Sequence, residues 1–216
     1  MENKKEKIAD FKTAISSTVR SLSNSEKIEV SFGNDSSKSG ANSIKLPELS
    51  HIHNKLNYNQ IRAMADSKSL RHRFSNPKTL KQYEPDGNIS KQLYRISEKI
   101  RCEKIGTSYF KGVKNNIETF YQERVSGLDL KSSEDKIVES FENYLRTKFL
   151  DFESNSQIDK KLKSYKKDLN EKFKNKIGQL SDFTLDQEKF NSLISELITN
   201  MNLDENLDEE EKKDDE

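Results

Sequence analysis

Residues 88–121 read NISKQLYRISEKIRCEKIGTSYFKGVKNNIETFY, and this stretch decides the fold of the chain. Apolar residues recur in it at steps of three or four, which is the spacing of one face of an amphipathic helix. They are Ile89, Leu93, Ile96, Ile100, Phe110, Val113, Ile117 and Phe120. The sequence therefore predicts one long helix over residues 88–121 whose apolar face packs against the rest of the domain.

The predicted helix has a polar notch at its centre, formed by Glu103, Gly106 and Thr107 where apolar residues are expected. A buried carboxylate without a partner costs several kcal/mol, so Glu103 needs a cation. Arg101 points to another helix face, so we expect the partner on the preceding helix. The candidates are Arg62, Arg71 and Arg73. A polar site that faces a partner or substrate is the alternative interpretation of Glu103.

The composition indicates a soluble protein with a thin core. Of the 216 residues, 31% are hydrophobic and 35% are charged, which favours long solvated helices and disordered ends. There is no apolar run of membrane-spanning length and no apolar signal segment near the start. The single cysteine, Cys102, suits a reducing compartment. We therefore expect a cytoplasmic protein that does not enter a membrane.

The charges are unevenly distributed along the chain. Residues 204–216 carry a net charge of −7, so the remainder carries +8 within a total of +1. A basic body could meet an acidic partner or nucleic acid. Its lysines are not interleaved with stacking aromatics, which favours scattered lysines on solvated helix faces instead. We expect no nucleic-acid binding, and we predict that the acidic tail is disordered.

The N-terminal part predicts a helix, a hairpin and a second helix. Residues 5–22 show helical periodicity, whereas residues 28–32 and 44–46 alternate apolar and polar side chains, as half-buried strands do. The polar loop between these strands predicts a β-hairpin, with Pro47 at its end or edge. Asn57 and Gln60 resemble a capping box at the start of a helix that ends near Phe74.

Three amphipathic helices are predicted after Gly127. Apolar side chains at helical spacing run over residues 137–149, over 158–180 and over 190–201, the last with Thr184 and Gln187 as its cap. We interpret them as an antiparallel helical layer rather than an intermolecular coiled coil. The predicted fold class is therefore α+β and mainly helical, with one hairpin near the N-terminus.

Candidate chemistry in the sequence is sparse. Asp35, Ser37 and Ser39 match the D-x-S-x-S metal signature of von Willebrand A-type domains, but the strand before them alternates, so we reject this motif. His51 and His53 could begin a Zn²⁺ or Co²⁺ site, although no third ligand lies nearby. No phosphate-binding loop is present. If the protein serves an ATP-driven process, another chain hydrolyses the ATP.

A family resemblance rests on a series of short segments in residues 8–125. They read TVRSL, IEVSFG, IKLPEL, IRAMADSKSLR, EKIRCEKIG and KGVKNNI. In this order and spacing they resemble the N-terminal region of the T subunit of the aerobic, ATP-dependent cobaltochelatase. The matching positions include Asp66, Arg71, Arg101, Glu103 and Gly106. Residues 128–203 match less well, and the two histidines at 51 and 53 depart from the family pattern.

The resemblance implies a role in a metal-insertion complex. The family's complex inserts Co²⁺ into hydrogenobyrinic acid a,c-diamide during cobalamin synthesis. A large subunit binds the corrinoid and an AAA+ subunit hydrolyses ATP with Mg²⁺, while the T subunit couples the two. A full-length T subunit continues through an acidic linker into a von Willebrand A-type domain, so we expect this chain to be an N-terminal part of one.

We therefore expect a non-catalytic adaptor that binds no cofactor itself. Its predicted parts are a family-like domain over residues 5–126, a helical extension over 127–203 and a linker over 204–216. The residues expected to set the docking geometry are Asp66, Arg71, Arg101, Glu103 and Gly106. The alternatives are a helical scaffold or basic nucleic-acid-binding module, and a Co²⁺ or Zn²⁺ carrier that uses His51 and His53.

Overall fold

The structure is a computed structural model that describes residues 2–33, 40, 42–48, 55–130, 132–153, 156–161 and 163–203. The chain divides into two compact units. Unit 1 comprises Met1–Phe74 with Gly106–Tyr121, and unit 2 comprises Ser75–Ile105 with Gln122–Glu216. Among the described residues, no helix is both long enough and apolar enough to cross a membrane. The predicted boundary at residue 126 does not coincide with this division, and the predicted domains remain a prediction.

Unit 1 is built on two helices and two short strands. Helix α1 runs from Glu2 to Ser23 and α2 from Lys55 to Phe74, with strands β1 (Glu29–Phe32) and β2 (Ser43–Leu46) between them in sequence. Helix α2 packs against α1 and β2. The core residues come from α1, β2, α2 and the segment before β1, and they are Ile15, Val19, Ile28, Ile44, Leu46, Ile61 and Ala65.

The two strands pair in parallel, so the predicted hairpin is wrong. Glu29 lies opposite Ser43 and Phe32 lies opposite Leu46. Residues 33–42 separate the two strands in the sequence. A tight turn of two residues would make the strands antiparallel, whereas a longer connection does not impose that direction. The predicted face of β1 is also wrong in part, because Ser31 is buried whereas Val30 and Phe32 are only partly buried.

Helix α2 begins earlier than the sequence indicated. It includes Asn57, which is therefore inside the helix and not its N-terminal cap. The predicted end at Phe74 is confirmed, and a short helix follows, α3 (Pro77–Gln82). The Asn76 side chain accepts a hydrogen bond from the backbone N–H of Lys78 and so caps α3.

The predicted long central helix is two helices. Helix α4 runs from Asn88 to Tyr109 and α5 from Lys111 to Ser126, so regular helix is interrupted at Phe110. The Phe110 carbonyl accepts hydrogen bonds from the N–H groups of Val113 and Lys114, which starts α5. Gly106, Thr107, Ser108 and Gly112 surround the break, and residues of these types have low helix propensity. Phe110 is 42% exposed, so its predicted place on the apolar face is wrong.

The stretch predicted as one helix over 158–180 is interrupted after Phe173. Helix α6 runs from Ser133 to Lys148, α7 (Ser156–Lys161) and α8 (Lys163–Phe173) lie on either side of residue 162, which is outside the described residues, and α9 (Ile177–Asp182) follows. Helix α10 runs from Gln187 to Thr199. Its cap is Asp186, whose side chain accepts from the N–H of Lys189, so the predicted cap at Thr184 is wrong.

The core of unit 2 is rich in aromatic side chains. The Phe173 ring of α8 makes edge contacts with Phe141 and Tyr144 of α6, with ring centroids 5.6 and 6.0 Å apart. Phe149 contacts Phe190 of α10 at 5.7 Å. The mainly helical α+β class is thus confirmed. The acidic tail, predicted to be disordered, lies outside the described residues.

Candidate functional site

The carboxylate of Glu103 is completely buried and paired with an arginine of unit 2. Glu103 is 0% exposed and Arg146 of α6 is 2% exposed. The Arg146 Nη1 atom donates a hydrogen bond of 2.8 Å to Glu103 Oε2. The prediction that Glu103 is buried beside a cation is therefore confirmed. The cation that the structure places beside Glu103 is thus Arg146 of α6, whereas Arg62, Arg71 and Arg73 were the predicted candidates.

Glu142 links Arg146 to further charges. Arg146 donates to Glu142 Oε1 through Nε at 2.8 Å, and Arg124 Nη2 donates to Glu142 Oε2 at 2.8 Å. Lys99 Nζ lies 3.7 Å from Glu142 Oε1. Arg124 also pairs with Glu139. These ion pairs join six residues, which we call the Arg146 cluster: Lys99, Glu103, Arg124, Glu139, Glu142 and Arg146. The three carboxylates of the cluster balance its three cations.

The pKa values of Glu142 and Arg146 favour the charged forms of these two side chains. Burial alone would raise the pKa of Glu142, but Arg146, Lys99 and Arg124 outweigh burial and lower this pKa to about 2. Burial also opposes the charge on Arg146, yet Glu103 and Glu142 hold the pKa of Arg146 above its usual value. Glu142 and Arg146 are therefore held in their charged forms, and the ion pairs of the cluster connect α4, α5 and α6 within unit 2.

A second buried cluster surrounds Arg101, whose side chain is 1% exposed. Arg101 donates from Nε and Nη2 to the two carboxylate oxygens of Glu98 at 2.8 and 2.9 Å. Its Nη1 atom donates to the backbone carbonyl of Thr184 at 2.8 Å. Burial opposes the charge, but Glu98 outweighs burial and raises the pKa of Arg101. Arg101 thus ties α4 to the loop before α10.

Asp66 has a polar partner within unit 1. It is 3% exposed and accepts a hydrogen bond of 2.8 Å from Asn116 Nδ2. Burial raises the pKa of Asp66, although Asn116 and then Arg62 act in the opposite direction. This contact joins α2 to α5. Arg71, another of the residues predicted to matter, is exposed.

Gly106 provides a close contact between α4 and α2 in unit 1. A Cβ atom at this position would overlap the side chain of Leu70, which is completely buried. Glycine thus permits a backbone approach that no other residue would allow here. The sequence indicates a polar notch at this point of the helix, and the Leu70 side chain of α2 lies against it at Gly106.

Replacement of Gly106 by Ala is expected to lower the free energy of unfolding by about 1–3 kcal/mol, since the added methyl group must displace buried Leu70. Gly112→Ala is the matched control, because Gly112 is exposed and a Cβ there meets nothing within 4 Å. The control should be neutral or slightly stabilising. Urea unfolding of both variants measures the difference, and equal stabilities would contradict the close contact.

The described residues offer no metal site and no accessible thiol. Among them, no group of three or more His, Cys, Asp or Glu side chains could hold a metal ion. Cys102 is completely buried, as expected for a structural thiol. His51, His53 and the D-x-S-x-S loop lie outside the described residues.

Two large aromatic side chains are exposed at the break between α4 and α5. Tyr109 is 70% exposed and Phe110 is 42% exposed, and their rings contact each other with centroids 6.4 Å apart. Leu185 in unit 2 is also highly exposed, at 76%. Exposed aromatic side chains are enriched at protein interfaces. The periodicity of the sequence missed this pair because it places Phe110 on the buried face.

Arg146 was the central residue that sequence reasoning missed. A signal was present, since Glu139, Glu142 and Arg146 follow one another at helical spacings of three and four, on a helix with a strong apolar face. Charged residues at these spacings usually lie on a solvated face. The structure instead buries all three.

The chain was compared with known families and structures. The family model described as cobalamin biosynthesis protein CobT matches residues 5–216, which includes the helices after residue 127, where the short family-like segments are not found. No solved structure matches the chain. The match covers nearly the whole chain and confirms the resemblance seen in its N-terminal segments. The chain belongs to the family of the cobalamin biosynthesis protein CobT, and its role therefore lies in cobalamin biosynthesis.

Proposed function

We propose that this chain is a non-catalytic adaptor in a cobaltochelatase that inserts Co²⁺ into hydrogenobyrinic acid a,c-diamide. In this role it couples an AAA+ ATPase subunit to a large corrinoid-binding subunit in the cytoplasm. ATP, Mg²⁺ and the substrate Co²⁺ are handled by those other subunits. The observation that carries the proposal is the family match over residues 5–216, and the buried charge clusters support it.

The clusters suit an adaptor because they hold helices in fixed geometry. An adaptor must transmit movement without deforming, and buried, hydrogen-bonded charge networks specify a single arrangement of the elements they join. In unit 2 the Arg146 cluster joins α4, α5 and α6, and Arg101 holds the loop before α10. We infer that these contacts preserve the shape that a partner recognises.

The predicted docking residues would then act indirectly, with one exception. Asp66, Arg101 and Glu103 are buried, as is Gly106, so none of these four can be a main contact for a partner. They position helices instead. Arg71 is exposed and could touch a partner directly. The exposed pair Tyr109 and Phe110 is a stronger candidate, because aromatic side chains contribute most at interface centres.

The proposal is tested by retention of purified subunits on the immobilised chain. The AAA+ ATPase subunit and the large corrinoid-binding subunit of the same organism are applied separately, at low and at physiological salt. Retention of the ATPase subunit is expected. If the chain retained neither subunit, the adaptor role would be overturned. If it instead retained DNA or RNA in a salt-dependent way, the nucleic-acid-binding alternative would be favoured.

Replacement of Phe110 by Ser is expected to weaken binding of the AAA+ subunit about tenfold, as for loss of an aromatic interface contact. Its thermal midpoint should change little, because Phe110 is 42% exposed. Leu185→Ser is the matched control, since it also removes an exposed apolar side chain, at 76% exposure. Calorimetric titration measures both affinities. Equal affinities of wild type and Phe110→Ser would exclude this surface.

A further inference from the structure

The break between α4 and α5 lies beside one stretch of α2 in unit 1. Before the break, Gly106 packs against Leu70, and after it, Asn116 donates a hydrogen bond of 2.8 Å to Asp66. Because these two contacts fall within little more than one turn of α2, the break lies beside residues 66–70. The exposed aromatic pair at the break therefore shares a surface of unit 1 with this part of α2.

The exposed side chains of α2 are all cations. Within residues 58–74 they are Arg62, Lys68, Arg71 and Arg73. The helix has a single carboxylate, that of Asp66, and this residue is buried. Solvated helices commonly mix both signs of charge, so that opposite charges pair along the helix. Helix α2 instead presents positive charge alone to the solvent.

These four cations are not paired with acids of the chain. None of them forms an ion pair with any residue that the structure describes. Burial and then the neighbouring Lys45 of β2 lower the pKa of Lys68. Helix α5 adds Lys111, which is exposed, and the first turn of α5 contains no acidic residue. The unpaired positive charge favours an anionic partner.

An apolar centre beside charged side chains is typical of a protein interface. The rings of Tyr109 and Phe110 contact each other and supply such a centre. Surfaces that bind single-stranded nucleic acid instead carry aromatic side chains in series among the cations. In the part of unit 1 that the structure describes, large aromatic side chains are exposed only at this pair. The surface therefore favours a protein partner over nucleic acid.

We propose that this surface binds an acidic patch of the AAA+ ATPase subunit, in which carboxylates surround an apolar pocket. The aromatic pair enters the pocket, and Arg71 and Lys111 pair with carboxylates at its rim. Because the partner is the AAA+ subunit, the acidic patch rests on the proposed function. It adds the chemistry by which that partner is recognised.

Lys111→Glu tests the acidic patch without weakening the fold. A carboxylate in the first turn of α5 interacts favourably with the helix dipole, so the thermal midpoint should equal or exceed that of wild type. Affinity for the purified AAA+ subunit should fall at least about tenfold at low salt, because like charges then meet. Calorimetric titration measures this affinity.

Lys27→Glu is the matched control for Lys111→Glu. It makes the same change of net charge at another exposed lysine of unit 1, in the segment before β1. If the lost affinity comes from a direct contact and not from net charge, this control should bind within about twofold of wild type. Arg71→Gln provides a second reading on α2, and it too should bind more weakly than wild type.

The dependence on salt separates the charged rim from the aromatic centre. At high salt the affinity of Lys111→Glu should approach that of wild type, because salt screens exposed charges. The deficit of Phe110→Ser should persist, because its lost contact is apolar. Equal deficits of Lys111→Glu at low and high salt would overturn the electrostatic contact.

The outcomes distinguish the acidic patch from the adaptor role. If wild type did not bind the AAA+ subunit, both would be overturned. If wild type bound and the variants at Arg71 and Lys111 bound equally well, only the acidic patch would be overturned. If short duplex DNA bound wild type more tightly than the AAA+ subunit and lost affinity in Lys111→Glu, the surface would bind nucleic acid, and the acidic patch would again be overturned.

Discussion

Replacement of Arg146 by Met is expected to lower the free energy of unfolding by about 3–5 kcal/mol. The substitution roughly keeps the volume of the side chain but leaves the carboxylates of Glu103 and Glu142 buried without their main cation. An unpaired buried charge costs far more than a surface ion pair contributes. Chemical unfolding in urea at neutral pH measures the loss.

Lys148→Met is the matched control for Arg146→Met. It removes a cation from the same helix, but Lys148 is exposed, so its loss should change stability by less than about 0.5 kcal/mol. Glu103→Ala should cost less than Arg146→Met, because Arg146 would still be paired with Glu142. A loss below about 1 kcal/mol for Arg146→Met would contradict the structural role of the cluster.

Acidification is expected to remove about 3 kcal/mol of stability between pH 5 and pH 2 through Glu142 alone. In the folded chain its pKa is lowered to about 2 from an ordinary value of 4.5. A depressed carboxylate pKa stabilises the fold above the unfolded value, and that contribution is lost as the pH falls through the folded value. Urea unfolding at a series of pH values measures the slope.

The control for this pH dependence is Glu142→Gln. The variant should be less stable than wild type at neutral pH, because it leaves Arg146 and Arg124 with fewer anionic partners. Its stability should nevertheless fall less steeply between pH 5 and pH 2. Parallel pH profiles for the two proteins would show that Glu142 is not the group responsible.

The sequence identified two features of the central helix correctly for a physical reason. Glu103 and Gly106 break an otherwise apolar periodicity, and each violation carries a cost that only a specific contact can offset. This argument predicts a buried carboxylate with a cation and a close helix approach, and both are present. It does not identify the contacting residue, because the partner depends on which helix packs on which face.

Three other features could not be predicted from local pattern. The burial of Arg146 depends on two acids that compensate its charge, Glu142 on the same helix and Glu103 far away in the sequence. The parallel pairing of β1 and β2 depends on the path of a ten-residue connection, and alternation of side chains is the same for either direction. The break at Phe110 lies between weak helix formers, whose effect depends on tertiary context.

The burial of the predicted docking residues refines how the adaptor would work. Arg101 and Glu103 lie at 1% and 0% exposure, so their substitution alters the positions of helices before it alters any surface. Loss of partner binding in such variants should therefore accompany a loss of stability. Surface substitutions at Tyr109 or Phe110 should instead weaken partner binding while the fold keeps its stability.

The adaptor role is tested most directly by cobalt insertion in a reconstituted system. The AAA+ subunit, the large subunit, corrinoid, Co²⁺ and ATP are combined with or without this chain, and the cobalt-containing product and released phosphate are both measured. The account predicts that cobalt insertion requires the chain, whereas the chain alone hydrolyses no ATP. Equal rates of cobalt insertion with and without the chain would contradict it.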